Sequence, residues 1–389
     1  MHASGHAIIT QASLNQAQAQ SFRADQSPPA QSCPRTLVLG AFFDGSGNNM
    51  YRDYTGALGA GSETNVARLF RAYQDHDDAE KIREKIYVVG VGAMDAEAGS
   101  DLVAEMGSKK EKRIAQRLMA EEFARQIPFA GDVGGLASGL GGRERLIIAY
   151  RWARSWCTAT CADTKKIIDI YGFSRGAAMA RTFVKLINMG LRREIPNLSV
   201  RFLGIFDTVG SFGIPGDDVD VGQNMGITQG DVGDARHFTA RHEIRQNFPL
   251  TALELGHREY AGVHSDVGGG YAAMEGKTTN HLAFVPLNDM HQASMNNGVE
   301  LNTLAFPAGV SIEQIRADSE KYFPAGEIVF DPNSKYAHER TQFYERYIHT
   351  SHSMLHPAHY PEPSRQRRIF PNPPVKPFRR LPPEYEWVE

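Results

Sequence analysis

The amino-acid sequence predicts an α/β protein with a doubly wound, mostly parallel sheet. Short apolar runs rich in β-branched residues alternate with segments of helical spacing, and several of the runs end in glycine-rich turns. A parallel crossover needs a dozen or more residues and usually contains a helix, so alternation at these lengths favours parallel strands. Of the 389 residues, 41% are apolar, which suffices for a buried core and argues against a disordered chain.

The strands and helices follow from the spacing of apolar residues. The first strand is predicted over 36–43, because a continuous apolar run is typical of a strand buried on both faces. Further strands are predicted over 85–92, 166–171, 200–206 and 259–264, and helices over 64–73, about 143–156 and about 175–190. The glycine-rich stretches at 131–142 and 210–233 are predicted to be surface loops or lids.

Composition divides the chain into three segments. Residues 1–33, rich in Gln, Ala and Ser, are predicted to be a flexible arm, residues 34–305 the main α/β domain, and residues 306–389 a C-terminal extension. The extension ends in a Pro-rich basic tail, with cations at Arg365, Arg367, Arg368, Lys376, Arg379 and Arg380. Two interpretations of the tail stay open. It is either a strap packed on the domain, with its arginines paired to surface carboxylates, or a segment that binds an anionic bilayer.

Charge, hydropathy and cysteine content exclude several classes of protein. The formal net charge of −3 argues against a nucleic-acid partner. No stretch approaches 18 consecutive apolar residues, and the N-terminus lacks the charged and apolar regions of a Sec signal. The three cysteines cannot all pair and have no metal-ligand spacing, so ordinary reduced thiols are predicted, with Cys157 and Cys161 on one helix.

The segment Gly172-Phe173-Ser174-Arg175-Gly176 is the strongest functional motif. It is a G-x-S-x-G that follows an apolar strand and opens a helix of small residues. This is the context that a nucleophile elbow of the α/β-hydrolase type requires, because glycines on both sides keep Cβ atoms out of the bend. Ser174 is therefore the candidate nucleophile. The alternative is a tight strand-to-helix turn with an incidental serine.

A serine nucleophile needs a histidine base and usually a carboxylate, which in this fold follow in the order Ser, Asp, His. Asp207 ends an apolar strand at the edge where open α/β sheets build their sites, although it could instead cap the next turn. His264 is preferred among 14 histidines because it also ends a predicted strand and enters a glycine turn. The competing bases are His349, His352 and His257. Asp266 is interpreted as a turn former, too close in sequence to orient His264.

The elbow also supplies half of an oxyanion hole through the backbone N–H of Arg175. The second donor is predicted at Gly45, in the glycine-rich loop 44–48 that leaves the first strand. Asp44 could in addition orient the elbow by bonding nearby amides. This loop lacks the G-K-[ST] of a phosphate-binding loop, and no cofactor or metal is expected.

With these motifs the sequence resembles the DUF2235 family, an α/β-hydrolase-like catalytic domain that includes phospholipase effectors of bacterial type VI secretion systems. The matching segments are 42–49, 64–66, 90–92, 172–177, 206–210 and 262–271, in the family's order. The resemblance implies a triad of Ser174, Asp207 and His264. It also implies ester hydrolysis of glycerophospholipids and a cognate immunity protein that holds the toxicity in check.

The leading hypothesis is a secreted antibacterial lipase that acts on a phospholipid membrane. The chain would be made in the bacterial cytoplasm without a Sec signal and reach the periplasm of target cells, together with a type VI secretion spike or adaptor component. Two alternatives stay open. One is a soluble carboxylesterase of ordinary metabolism, and the other is a catalytically inactive hydrolase-fold binding module.

Overall fold

A six-stranded parallel sheet forms the centre of the computed structural model, which describes residues 33, 35–50, 53, 61–78, 80–91, 142–195, 197–212, 223–325, 335–350 and 367–376. The sheet strands are β1 (Thr36–Phe43), β2 (Lys81–Val88), β3 (Lys165–Phe173), β4 (Leu198–Phe206), β5 (Asp234–Ala240) and, after the two-residue strand β6 (Leu250–Thr251), β7 (His257–Tyr260). Their order is β2-β1-β3-β4-β5-β7, and all five pairings are parallel. The predicted doubly wound α/β fold is thus confirmed.

Helices cover both faces of this sheet. They are α1 (Asn65–Ala72), α2 (Gly142–Ala159), α3 (Arg175–Leu186), α4 (His264–Gly268), α5 (Phe284–Asn296), α6 (Ile312–Tyr322) and α7 (Ala337–Tyr347). Helix α3 continues as a π-helix over Ile187–Leu191 and a last turn over Arg192–Glu194, and a 3-10 turn over Asn280–Ala283 leads into α5. A small hairpin pairs β8 (Met274–Glu275) with β9 (Thr278–Thr279).

Two apolar clusters hold these layers together. Alternate residues of β1 point to opposite faces, so Leu39 joins the cluster of α2 and α3 while Phe42 joins the cluster of α1, α5, α6 and α7. Both side chains have no exposed surface, as expected for a strand covered on both sides. Helices α6 and α7 lie in the predicted C-terminal extension, yet they pack into the same cluster as the sheet.

The structure corrects several sequence-based predictions. Strand β5 was not predicted, and the stretch 223–227, expected in a surface loop, is buried, with Arg181 of α3 donating to Met225 O at 2.7 Å. The strand predicted over 259–264 ends at Tyr260, so His264 opens the short helix α4 instead of ending a strand. The arm 1–32, the stretch 131–141 and residues 213–222 lie outside the described residues.

The prediction of three reduced cysteines is wrong, because Cys33 and Cys161 form a disulfide. Strands β1 and β3 are neighbours in register, with Thr36 opposite Lys165. This register brings the segments that precede the two strands together, and the two Cα atoms are 6.1 Å apart. Cys161 also lies beyond the end of α2, so it does not share that helix with Cys157, which is buried and free.

The C-terminal segment 367–376, here called the strap, lies against the domain. Its strand β10 (Ile369–Phe370) pairs in parallel with β6, and the N–H groups of Leu250 and Ala252 donate to its backbone at 2.9 and 2.8 Å. Asn372 accepts a hydrogen bond from the buried Arg181 of α3 at 2.6 Å. The strap interpretation of the tail is therefore confirmed for these residues, while Arg365, Arg379 and Arg380 lie outside the described part.

No helix among the described residues combines the length and apolar character needed to cross a membrane.

Candidate active site

The carboxyl ends of β1, β3 and β4 meet at one edge of the sheet. Strand order changes direction between β1 and β3, and in open parallel sheets ligands bind in the crevice at such a switch point. Asp44 follows β1, Ser174 follows β3 and Asp207 follows β4. The fold therefore brings two of the three candidate triad residues, Ser174 and Asp207, to the edge of the sheet where α/β proteins form their ligand sites.

Ser174 occupies a strained turn between β3 and α3. Its φ of 59° and ψ of −126° lie outside the regions that side-chain-bearing residues favour. The backbone fixes this turn, since Ser174 N donates to Phe206 O at 3.0 Å and Val209 N donates to Ser174 O at 3.2 Å. A Cβ on Gly176 would lie 2.2 Å from the carbonyl oxygen of Phe43, and one on Gly172 would lie 2.6 Å from Ala177 Cα. Both motif glycines are thus required by close backbone approach.

Asp207 is the other non-glycine residue with a positive φ in the described part of the chain, at 41°. Strained backbone of this kind persists where the surrounding structure over-determines it, and it concentrates at functional sites. The carboxylate is fully buried and accepts a hydrogen bond from His264 Nδ1 at Oδ2, 2.6 Å, and another from Ala240 N at Oδ1, 2.8 Å. Asp207 therefore fixes which ring nitrogen of His264 carries the proton, leaving Nε2 free to act as a base.

His264 lies between two aromatic rings. Phe173, the residue before Ser174, packs against it with ring centroids 4.6 Å apart, and Phe248 packs edge-on at 4.9 Å. Burial lowers the pKa of His264 below its ordinary value, and the bond to Asp207 offsets this only in part. Among the described residues no hydrogen bond joins Ser174 to His264, and such bonds often form fully only when substrate binds.

A charged pair supports the backbone at His264. Glu243 accepts a hydrogen bond from His264 N at 3.1 Å and is paired with Arg245 at 2.8 Å. Burial alone would raise the pKa of Glu243, but the charge and hydrogen bonds of Arg245 lower it to about 2. Arg245 in turn lies over the Phe248 ring, 3.7 Å from its centroid. These three residues follow β5 in an irregular segment, and no motif in the sequence pointed to them.

The strap supplies a further ligand to Asp207. Arg367 Nη1 donates to Oδ2 at 2.6 Å and Nη2 donates to Oδ1 at 2.5 Å, while Nη2 also donates to Ala240 O at 3.0 Å. In the strap interpretation of the tail, its arginines were predicted to pair with surface carboxylates. Arg367 instead pairs with a buried one, and 160 positions separate the two residues, so no local pattern could reveal the contact.

The predicted oxyanion donors have different surroundings. The N–H of Arg175 has no hydrogen-bond acceptor among the described residues, as expected at a helix N-terminus. The N–H of Gly45 donates to Asp44 Oδ1 at 2.7 Å, whereas that of Ser46 has no acceptor in the described part. Ser46 Oγ accepts a hydrogen bond from Arg175 Nε at 2.5 Å, which joins the loop to the elbow.

Asp44 orients the loop rather than the elbow. Its carboxyl group also accepts hydrogen bonds from Thr64 Oγ1, at 2.7 Å, and from the Tyr87 hydroxyl. Burial raises the pKa of Asp44 to about 6, although these donors act in the opposite direction.

The competing histidines have other partners. His349 Nδ1 donates to Asp266 Oδ1 at 2.6 Å, which makes a second histidine-carboxylate pair that does not include Asp207. Asp266 also accepts a hydrogen bond from Val263 N at 3.0 Å, consistent with the turn-former interpretation. His257 contacts the hydroxyl of Thr239 at 2.9 Å, and His352 lies outside the described residues. Within the described ranges no cluster of three His, Cys, Asp or Glu side chains could hold a metal ion.

The parallel sheet and the strained serine turn at its switch point define an α/β-hydrolase-like protein. The catalytic-domain family of Tle1-like type VI secretion phospholipase effectors matches residues 35–195 and 190–293. The chain belongs to this family, which confirms the predicted resemblance and implies hydrolase activity and a phospholipase effector role.

One solved structure agrees with the fold. The Tle1 effector bound to the VgrG spike from the type 6 secretion system aligns over 88% of this chain and 95% of its own, with a TM-score of 0.54 and 17% identity. An uncharacterized protein from Pseudomonas aeruginosa aligns over 81% of this chain and 53% of its own, with a TM-score of 0.47 and 20% identity. Among curated proteins, no match was found.

Proposed function

We propose that the protein is a serine phospholipase in which Ser174, His264 and Asp207 form the catalytic triad. His264 Nε2 takes the hydroxyl proton as Ser174 Oγ attacks the acyl carbonyl carbon, and the carbonyl electrons move onto oxygen. Collapse of the tetrahedral intermediate breaks the ester bond, and the leaving alcohol takes the proton from His264. Water then repeats the sequence on the acyl-enzyme and releases the fatty acid.

One observation carries this proposal: the 2.6 Å bond between His264 and Asp207 lies beside a serine held in an elbow conformation. Two strained residues, Ser174 and Asp207, lie at one edge of the sheet together with a buried imidazole whose lowered pKa keeps it neutral near pH 7. A neutral, oriented imidazole is the form that a general base requires.

The oxyanion would be stabilised by backbone donors. The N–H of Arg175, which has no acceptor among the described residues, would supply the first of them. For the second, the N–H of Ser46, likewise without an acceptor in the described part, is a better candidate than that of Gly45, which would first have to exchange its bond to Asp44. The chemistry written here needs no cofactor.

Family membership and the solved complex support the wider role. Membership in a family of type VI secretion effectors implies secretion into target cells, and the solved Tle1 effector is bound to the VgrG spike. We infer that this chain likewise travels with a spike component and acts on phospholipid membranes in the target periplasm. A cognate immunity protein would protect the producing cell.

The direct test is incubation with defined phospholipid vesicles, followed by mass spectrometry of the products. We expect Ser174→Ala to lower the release of fatty acid by about 10⁴-fold or more, with an unchanged fold. Ser199→Ala is the matched control, because Ser199 lies on β4 at the end of the sheet far from Asp207. Activity above a tenth of the wild-type value in Ser174→Ala would rule out this nucleophile.

Adding a short soluble ester and an active-site phosphonate probe to this vesicle assay separates the alternatives. A carboxylesterase of ordinary metabolism would cleave short soluble esters and leave vesicles intact. An inactive binding module would cleave neither and would not react with an active-site phosphonate probe.

A further inference from the structure

The strap reaches the candidate triad from the far end of the chain. Arg367 is 7% exposed and Asp207 has no exposed surface, so their ion pair is shielded from water. Four hydrogen bonds converge on the carboxylate, two from Arg367 and one each from His264 and Ala240. Both carboxylate oxygens thus accept two bonds each, which fixes the carboxylate plane against rotation.

The strap is anchored on both sides of the site. Through β10 it pairs with β6, and Thr251 of β6 donates its N–H to the carbonyl of Thr208, the residue after Asp207, at 2.9 Å. Through Asn372 it holds Arg181 of α3, the helix that begins directly after Ser174. The contact of Arg367 is therefore part of a continuous hydrogen-bonded structure and not an isolated surface ion pair.

The charge of the site also depends on the strap. Burial alone would raise the pKa of Asp207, but the charge and hydrogen bonds of Arg367, with the bond from His264, hold that pKa well below its ordinary range. A buried carboxylate without a cation is costly and tends to take up a proton instead. A protonated Asp207 could no longer stabilise the imidazolium that forms during catalysis.

We propose that Arg367 is a positioning residue for the hydrolysis reaction, and that the catalytic carboxylate is complete only when the strap is docked. This inference rests on the proposed function of Asp207 and His264. Arg367 donates to Asp207 and to the Ala240 carbonyl, and among the described residues it makes no hydrogen bond to Ser174. It acts through Asp207 by keeping the carboxylate ionised and oriented toward His264 Nδ1.

The effect on pH dependence has a definite sign. Removing the cation makes uptake of a proton by the Asp207–His264 pair more favourable, whichever of the two residues holds it. The acid limb of kcat/KM therefore moves to higher pH. Among the described residues, the other titratable or charged side chains that act on Asp207, His264 or Arg367 include Glu243, Arg245, His237 and Glu259. They are unchanged in the variants below.

The test compares Arg367→Gln, Arg367→Lys and Arg368→Gln in the full chain, with pH profiles of kcat/KM on a short-chain ester. Arg367→Gln should lower kcat/KM at neutral pH by about 10²-fold, as a misplaced catalytic group does, and shift the acid limb upward by about one unit or more. Arg367→Lys keeps the charge but loses the two-pronged contact, so it should lose rate with little shift of the limb. Arg368 is exposed and one position away, and its variant should behave like the wild type.

The results separate three possibilities. Melting temperatures establish that each variant is folded at the assay temperature. If Arg367 had a purely structural role, Arg367→Gln would lower the melting temperature without moving the acid limb of kcat/KM. A wild-type rate and profile in Arg367→Gln would overturn the inference, provided that Ser174→Ala is inactive in the same assay. Should Ser174→Ala stay active, the proposed triad falls and the inference with it.

Discussion

The disulfide between Cys33 and Cys161 provides a quantitative test of the fold. The bond closes a loop across 128 positions and ties the segment before β1 to the segment before β3. Restriction of the unfolded chain over a loop of this length corresponds to about 5 kcal/mol at 25 °C in the chain-entropy treatment. Disulfides commonly raise the free energy of unfolding by about 2–4 kcal/mol, which is less than this value, because unfolded chains keep some structure.

We therefore expect Cys161→Ser to lower the free energy of unfolding by about 2–5 kcal/mol relative to the oxidised wild type. Cys33 is exposed and Cys161 half-buried, so the lost packing of one sulfur contributes little. The assay is urea denaturation of both proteins, with and without a reductant, after mass spectrometry has established the disulfide in the wild type. In the reductant the two proteins should agree within about 0.5 kcal/mol.

Two outcomes would contradict this reasoning. If the oxidised wild type carries an intact bond but unfolds at the same urea concentration as Cys161→Ser, then the loop does not restrict the unfolded chain as argued. If the bond joins Cys33 to Cys157 instead, the register of β1 with β3 at this end is wrong.

The remaining predictions concern the candidate site. His264→Ala should abolish turnover as completely as Ser174→Ala, and Asp207→Asn should lower kcat/KM somewhat less. His349→Ala should keep kcat/KM within about tenfold of the wild-type value. If turnover depends on His349 and not on His264, the base is His349. Because burial lowers the pKa of His264, the acid limb of kcat/KM should lie below pH 6.5, the ordinary value, and a limb above it would contradict this environment. Gly176→Ala should lower both the melting temperature and the activity, since its Cβ would meet backbone oxygen at 2.2 Å, while Gly230→Ala, with open space around it, serves as the control; equal melting temperatures would show that the elbow tolerates a side chain.

The sequence was most informative where the signal is local. Strand β1 could be predicted from an uninterrupted apolar run, because both its faces are covered. Ser174 could be predicted because it lies in a motif whose glycines the turn requires. Asp207 could be found because a carboxylate at the end of a buried strand must lie at the edge where sites form. These features depend on neighbouring residues alone.

The features that were missed depend on contacts between distant segments. Strand β5 contains polar residues such as His237, whose ring is buried against Thr208 and Leu253, so the strand lacks an uninterrupted apolar run. The disulfide requires knowledge that β1 pairs with β3, and the role of Arg367 requires the position of the strap. His264 was identified through the glycine turn that follows it, although it begins a helix rather than ending a strand.

The strap has a consequence for the order in which the site is made. A ribosome synthesises the chain from its N-terminus, so Ser174, Asp207 and His264 all emerge before Arg367, which follows Asp207 by 160 positions. A nascent chain that has not reached the strap leaves the carboxylate of Asp207 without the cation of Arg367. For this member of a phospholipase effector family, we expect translation products that stop short of Arg367 to be much less active than the finished chain.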